Sequence, residues 1–374
     1  MKYKEKKSGW GSAIKLIILL LIVGFVVACY KVDFLCNNEY ISIAKSKISG
    51  VINKITNSAS DSFSALVESY EPDEEDDSKY EISDSQNRYY YNQLDDNSRI
   101  IYAEILNNID KIKNGEDNIK ISSKLSSLSS SEDMNTALMV AFQNAWDAFR
   151  NDNVDMFYID GTKMCLVTKT IKRGNQTKYE FYISKGKNSN YFIDGFSSKA
   201  SVEEAEAFVK QNEDEILSNI TDKNDYYKIM HAHNWIVEHL EYNLEESPNN
   251  ANLYGALKDR KVVCEGYARL FKSLMDKMDI PCVFVSGVGL NSTSDTREDH
   301  AWNYVFLKGE WYAIDATWDD PIIIGSGSVS SDLKYKYFLK GSKEFYKSHI
   351  EEGRLVDSGM EFKYPQISEN DYIK

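Results

Sequence analysis

The chain has 374 residues, of which 42% are hydrophobic and 27% are charged. Such a length and composition are typical of a globular protein with room for two modest cores. The formal net charge is −14 and no basic stripe follows the first residues, which excludes nucleic acid as a partner.

Residues 1–30 carry a targeting signal. Lysines at positions 2, 4, 6, 7 and 15 precede or flank an apolar run from Leu16 to Tyr30. This pattern fits an uncleaved membrane anchor, with the N-terminus inside, or a signal peptide. The long polar segment before the run favours the anchor. Val26–Cys29 resembles a bacterial lipobox, so Cys29 is also a candidate for lipidation. Both interpretations predict a membrane-tethered, extracytoplasmic protein.

Residues 31–85 are predicted to form an acidic linker. Six carboxylates occupy the seven positions from Glu71 to Asp77. Like charges at this density repel one another and keep the chain extended. The segment lacks the alternating ligands and the glycine of a calcium-binding loop, so we interpret it as a solvated spacer.

Residues 86–200 are predicted to form a small α+β accessory domain. Helical spacing runs from Asn87 to Lys113, and Ser131 is placed to cap a second helix that ends at Arg150. Strand patterns occur at 156–159, 163–172 and 178–184. No catalytic constellation is present in this region. Its aromatic side chains are expected to build a core, and the alternative is a binding surface.

Residues 201–374 form the second predicted domain, and its first helices carry three histidines. His231 and His233 are two positions apart, so a helix directs them differently and they cannot form the i, i+4 pair of a zinc site. His239 is isolated, and the five cysteines include no Cys-x-x-Cys pair. We therefore predict packing or surface histidines, no metal and no cofactor.

The strongest functional signal begins at Cys264. Apolar residues recur at helical spacing from Tyr267 to Met278, which places Cys264 at or near a helix N-terminus. The positive end of the helix dipole favours the thiolate there. Taken alone, this cysteine could also be a small buried hydrophobic residue.

A predicted β-hairpin supplies partners for the thiol. Residues 300–307 and 310–315 have strand patterns and are joined by a Lys-Gly turn. If Leu307 and Glu310 flank a two-residue turn, Asp315 lies opposite Trp302. Asp315 is then diagonal to His300 on the same face of the hairpin. A carboxylate in that place can fix the imidazole tautomer. A change of register by one residue would separate the two side chains.

The segments Val-Cys-Glu-Gly-Tyr-Ala, His-Ala-Trp-Asn and Asp-Ala-Thr-Trp-Asp-Asp, in this order, resemble the transglutaminase-like superfamily of papain-related thiol enzymes. The resemblance includes a helix at residues 231–242 and covers roughly residues 215–345. It implies that Cys264 is the nucleophile, His300 the base and Asp315 the orienting acid. It also implies an α+β fold in which the cysteine helix packs on an antiparallel sheet that carries the other two residues.

The resemblance further implies that the Cys264 thiolate attacks an amide and forms a thioester. The oxyanion would be held by the Cys264 backbone N–H and by a second donor earlier in the chain, for which Asn252 and Tyr254 are the candidates. The acceptor is left open between an amine, which gives a crosslink, and water, which gives hydrolysis.

The expected substrate is a protein or peptide, with cell-wall peptides among the candidates. Two alternatives remain for the fold: a cysteine peptidase or amidase acting on cell-wall or surface peptides, and a non-catalytic scaffold. The protein resembles bacterial members of the superfamily.

Overall fold

The computed structural model describes residues 88–125, 133–245, 247–291, 296–320, 331–356 and 359–374. The architecture is mixed α/β. The predicted anchor, the acidic linker and the predicted cap Ser131 lie outside these residues. Within the described ranges, no helix is both long enough and apolar enough to span a membrane.

The helices follow sequence signals for capping. They are α1 (Asp96–Asn107), α2 (Ile109–Lys113), α3 (Met134–Asp152), α4 (Lys199–Ser218), α5 (Asp225–His239), α6 (Leu253–Lys258), α7 (Cys264–Lys277), α8 (Ser331–Lys334) and α9 (Ser342–Phe345). Side chains of Asp95, Asp133, Ser198 and Asn224 accept hydrogen bonds from the first-turn amides of α1, α3, α4 and α5. Helix α7 begins at Cys264 without a side-chain cap.

The described strands form three sheets. Antiparallel β1 (Ile119–Ile121), β3 (Gln176–Ser184) and β2 (Cys165–Arg173) lie in that spatial order. The short strands β4 (Glu241–Tyr242) and β5 (Lys261–Val262) are parallel. The largest sheet is antiparallel with the order β8 (Glu310–Ile314), β7 (Thr296–Leu307), β6 (Cys282–Asn291) and β9 (His349–Glu351).

In the accessory region, some predicted elements are present and others are not. The predicted strands at 163–172 and 178–184 correspond to β2 and β3, whereas the long first helix is divided among a 3-10 turn, α1 and α2. Residues 156–159 do not form a strand, because two successive turns bend the chain there. Met156 N–H donates to Asn153 O, and Ile159 N–H donates to Met156 O.

The two predicted domains, residues 86–200 and 201–374, share one continuous hydrophobic cluster, which extends from Tyr90 to Ile367. The Tyr90 hydroxyl donates to the carbonyl oxygen of Phe284 on β6, so the two regions also share hydrogen bonds. A domain boundary at residue 200 stays a prediction. Cys165, at the start of β2, is disulfide-bonded.

Helix α7 packs closely on the strand before it and on the large sheet. A Cβ atom at Gly266 would lie 2.6 Å from Cβ of Val262, so only glycine allows this approach. On the sheet side, Asn303 Nδ2 of β7 donates to the Ala268 carbonyl oxygen at 3.0 Å. These contacts fix the start of α7 against β7.

Candidate active site

Cys264, His300 and Asp315 come together where the N-terminus of α7 meets the sheet. Cys264 is the first residue of α7, His300 lies on β7, and Asp315 follows β8 directly. His300 Nε2 donates to Asp315 Oδ2 at 2.7 Å. The Cys264 side chain lies close enough to the same imidazole to raise its pKa. Because Nε2 is engaged by Asp315, Nδ1 is the nitrogen available to the thiol.

The hairpin register that joins His300 to Asp315 agrees with the sequence prediction. Leu307 pairs with Glu310 and Asn303 with Ile314. The turn residues Lys308 and Gly309 have φ values of 54° and 94°, as a two-residue hairpin turn with positive φ at both positions requires. The predicted register is therefore confirmed.

The environment of His300 and Asp315 favours the charged forms of both side chains. Burial alone would lower the pKa of His300, but the negative charges of Asp315 and of the Cys264 thiolate outweigh it and raise that pKa to about 10. Burial opposes ionisation of Asp315 as well, yet His300 and a second histidine, His349, hold the pKa of Asp315 far below its usual range. The site therefore stabilises a protonated His300 beside an ionised Asp315.

His349, which the sequence analysis did not identify, contacts the same carboxylate. Its Nε2 donates to Asp315 Oδ2 at 3.0 Å, and the side chain is 0% exposed. Asp315 Oδ1 accepts from the backbone N–H groups of Thr317, at 3.0 Å, and Trp318, at 3.1 Å. Asp315 thus accepts four hydrogen bonds, although it is completely buried.

His300, Asp315 and His349 are also close enough to be considered as metal ligands. Their ligand atoms lie within 4.8 Å of one another. Both imidazoles, however, direct an Nε2 hydrogen at Asp315 Oδ2, so neither of these nitrogens offers a lone pair to a shared ion. We interpret the cluster as a hydrogen-bond network.

Glu265, the residue directly after Cys264, is bound by two arginines. Glu265 Oε1 accepts from Arg150 Nη2 at 2.6 Å and from Arg269 Nε at 2.9 Å. Burial would raise the pKa of Glu265, but Arg269 and Arg150 hold it at about 2. This negative charge beside Cys264 is therefore balanced, and α3 of the accessory region supplies one of the two cations.

A cleft of about 870 Å³ opens beside His300. Trp318 lines it and stacks on the His300 ring, with centroids 5.1 Å apart. A Cβ atom at Gly289 would lie only 2.7 Å from the Trp318 ring. Glycine at this position therefore leaves room for Trp318 to cover the imidazole.

Tyr242 also lines this cleft and lies close to Cys264 in the fold. Strand β4 places Tyr242 beside Val262, two residues before Cys264. Burial, and then the negative charges of Cys264, Glu298 and Asp315, raise the pKa of Tyr242. The phenol consequently keeps its proton and can donate a hydrogen bond into the cleft.

The two predicted oxyanion donors have other partners. Asn252 caps α6, since its Oδ1 accepts from the Gly255 N–H at 2.9 Å. The ring of Tyr254 stacks on Phe157, with centroids 5.6 Å apart. Neither residue lines the cleft beside His300. Capping and packing thus account for both side chains, and a role for either as the second donor stays a prediction.

The remaining predicted histidines occupy packing and surface positions. His233 is buried and donates from Nε2 to Asp319 Oδ2 at 3.0 Å. His231 is exposed and pairs with Asp222. His239 stacks on Trp235 at the end of α5.

The site and its surroundings define a transglutaminase-like domain. Residues 214–316 match the family model described as the transglutaminase-like superfamily. This span contains Cys264, His300 and Asp315.

Curated proteins with similar sequences include two kyphoscoliosis peptidases and one LIM protein. The Mus musculus peptidase is 26% identical over 169 residues, which is 42% of this chain and 26% of that protein. The Homo sapiens peptidase is 24% identical over 172 residues, with the same coverage. "Lim and transglutaminase domain protein ltd-1" of Caenorhabditis elegans is 30% identical over 118 residues, 27% of this chain and 16% of its own. The chain thus matches about a quarter or less of each relative's length.

Solved structures to which parts of the chain are similar include one described as a TGase and a putative cysteine protease. The structure described as that of a TGase shares 14% identity and covers 47% of this chain and 50% of its own, with a TM-score of 0.29. The putative cysteine protease from Cytophaga hutchinsonii shares 16% identity and covers 41% and 64%, with a TM-score of 0.26.

Proposed function

We propose that the protein is an extracytoplasmic thiol enzyme that forms a thioester on Cys264 from an amide and passes the acyl group to an amine or to water. The observation that carries the proposal is the contiguous arrangement of three side chains. His300 donates to Asp315 at 2.7 Å and lies close to Cys264, which begins an uncapped helix.

The chemistry follows from these contacts. The Cys264 thiolate attacks the amide carbonyl carbon, so a C–S bond forms and the carbonyl electron pair moves to oxygen. The His300 imidazolium gives its proton to the leaving nitrogen, and the C–N bond breaks. An amine or water then attacks the thioester and gives its proton to His300 as the C–S bond breaks. Asp315 stays ionised and holds the Nε2 hydrogen of His300 throughout.

The negative oxygen of the tetrahedral intermediate needs two donors. One is the backbone N–H of Cys264 at the start of α7, where no side chain caps the helix. For the second we propose the Tyr242 hydroxyl. Its position in the cleft, its strand pairing beside Val262 and its raised pKa support this role.

A cysteine peptidase or amidase is the second candidate. The names of the two curated relatives from mouse and human favour it, because both are called peptidases. A peptidase would use the same residues and differ only in taking a backbone amide as donor and water as acceptor. A non-catalytic scaffold has no need of a buried carboxylate with four donors, so this network supports an enzyme.

The proposed location rests on the N-terminal sequence. The basic and apolar segment at residues 1–30 fits a membrane tether. We therefore propose a protein or peptide substrate at the outer face of the membrane.

Mass spectrometry of a mixed peptide reaction tests the proposal. The full chain is incubated with a glutamine peptide and a lysine peptide, and the Cys264→Ser variant serves as the control. A joined product with loss of ammonia indicates crosslinking, gain of water with loss of ammonia indicates deamidation, and cleaved peptides indicate a peptidase. Products that persist in the serine variant, or a wild-type protein that yields none on a broad peptide library, would contradict the proposal.

A further inference from the structure

We infer that His349 is a positioning residue: the N–H that it donates to Asp315 keeps this carboxylate ionised and keeps Oδ2 directed at His300. The inference rests on the proposed function. His349 does not contact the thiol or the bond to be broken, so it would act on the reaction through Asp315 and His300.

The geometry of the sheet brings the two histidines to one oxygen. His300 lies opposite Gly287 of β6, and His349 lies opposite Gly289 of the same strand. These glycines are two residues apart and face the same side of the sheet. A side chain at Gly289 would meet Trp318 at 2.7 Å and Cβ of His300 at 3.5 Å. Because β6 presents no side chain there, residues from the strands on either side can converge on Asp315.

Ser348, Phe345 and Trp318 surround the His349 ring. The Ser348 hydroxyl lies 3.0 Å from Nδ1, and when it donates there the ring hydrogen is on Nε2. Phe345 stacks on the ring with centroids 3.9 Å apart, and Trp318 lies at 4.5 Å. An imidazole enclosed in this way is well suited to donate in one direction only.

The charge state of His349 supports the same role. Burial lowers its pKa, so the ring is neutral at neutral pH. The titratable groups that face it are Asp315, His300 and the Tyr337 phenol ring, while β6 contributes only glycine on this side. A neutral donor stabilises the carboxylate without adding a positive charge that would compete with the His300 imidazolium.

The inference predicts a change in pH dependence that a purely structural histidine would not produce. Without the His349 donor, Oδ2 is no longer held toward His300, so the His300–Asp315 hydrogen bond weakens and the imidazolium is less stabilised. A less stable imidazolium in turn stabilises a neighbouring thiolate less. Removal of the His349 donor should therefore change the rate of Cys264 alkylation on the acid limb, the low-pH part of the profile where the rate rises with pH. We expect this limb to move to higher pH.

The experiment measures the rate of Cys264 alkylation by iodoacetamide in the full chain, from about pH 4 to 9, a range that brackets the free-thiol and imidazole values. His349→Leu removes the donor, whereas His349→Gln retains an N–H group at a similar distance. Ser348→Ala removes the hydroxyl that selects the tautomer and leaves the aromatic packing intact. Thermal unfolding of each variant reports folding separately.

We expect His349→Leu to move the acid limb up by about one pH unit, which is roughly a tenfold lower rate on that limb. His349→Gln should stay within about threefold of wild type, and Ser348→Ala should show a smaller shift in the same direction. If His349→Leu does not fold, the glutamine and alanine variants decide the question.

Three results would overturn the inference. The first is a folded leucine variant with the wild-type acid limb. The second is equal loss in the leucine and glutamine variants, which would mean that ring shape and not the donor matters. The third is a wild-type Cys264 that reacts like an ordinary thiol, which would overturn the proposed function as well and is thus distinguished from the first two.

Discussion

Two buried histidine–aspartate pairs lie next to each other in this protein, and only one of them adjoins a thiol. Asp315 and Asp319 stand four positions apart in one segment, and both are 0% exposed. His300 bonds Asp315 at 2.7 Å, and His233 bonds Asp319 at 3.0 Å. The two pairs are almost the same in composition, distance and burial.

Their hydrogen-bond partners differ. Asp315 accepts four hydrogen bonds and its pKa is held far below the usual range. Asp319 accepts from His233 and from the Tyr337 backbone N–H, and burial raises its pKa to about 6. The positive charge of His300, followed by the hydrogen bonds from His300 and His349, thus outweighs burial at Asp315, whereas burial prevails at Asp319.

The second nitrogen of each histidine also differs in its environment. In His300 it is available to the Cys264 thiol. The Nδ1 atom of His233 lies 3.4 Å from the Asn234 side-chain oxygen, and Phe338 packs on the ring. A histidine–aspartate pair therefore becomes chemically useful only where the ring borders a reactive group.

The largest expected effect comes from Asp315→Asn. An amide at this position offers an N–H group to His300 Nε2, which forces the ring hydrogen onto the nitrogen that should receive the thiol proton. By analogy with the serine-protease aspartate, kcat/KM should fall by about 10³- to 10⁴-fold. Steady-state kinetics with the peptide identified in the mass-spectrometric assay would measure this loss. A fall of less than tenfold would mean that Asp315 does not control the tautomer.

A smaller effect is expected from Tyr242→Phe. Loss of one oxyanion donor lowers kcat by about 10²- to 10³-fold. Alkylation of Cys264 by iodoacetamide should not change, because that reaction forms no oxyanion. Tyr254→Phe is the matched control, since Tyr254 lies away from the cleft, and it should leave both rates unchanged. An equal loss in the two variants would remove Tyr242 from the mechanism.

The smallest effect is expected from Asp319→Asn. The amide oxygen can still accept from the Tyr337 backbone N–H, and His233 can place its hydrogen on Nδ1, near the Asn234 oxygen. We expect kcat/KM within about threefold of wild type and a change in unfolding free energy of about 1–3 kcal/mol. If kcat/KM fell as far as in Asp315→Asn, the His233–Asp319 pair would matter for the reaction as much as the His300–Asp315 pair.

Local pattern was sufficient to predict the core of the site. Apolar spacing placed Cys264 at a helix start, and the two-residue turn set the register that brings Asp315 to His300. Both features depend on residues that are close in sequence, so spacing alone reveals them.

Features that depend on distant pairing could not be predicted in this way. His349 reaches Asp315 through β9, a three-residue strand that pairs with β6, and Tyr242 reaches the cleft through a two-residue parallel pair. Such short strands leave no periodicity to detect. The helix cap formed by Asn252 was not predicted either, because a polar residue that caps a helix has the same local pattern as one that serves a site.

The most direct test of the account is the alkylation of Cys264 across pH, read by mass spectrometry beside Cys282 and repeated in His300→Ala. The pKa of His300 is raised to about 10, so the imidazolium persists below that pH and holds a positive charge close to Cys264. We therefore expect alkylation of Cys264 well below the pH of about 8.5 that is typical of a free thiol. Cys282, which is 5% exposed and whose pKa is raised by burial, should not react in the folded protein.

We expect His300→Ala to abolish the alkylation of Cys264 at low pH while the protein remains folded. If Cys264 instead titrates like an ordinary thiol, and the alanine variant behaves like wild type, the proposed catalytic network does not exist.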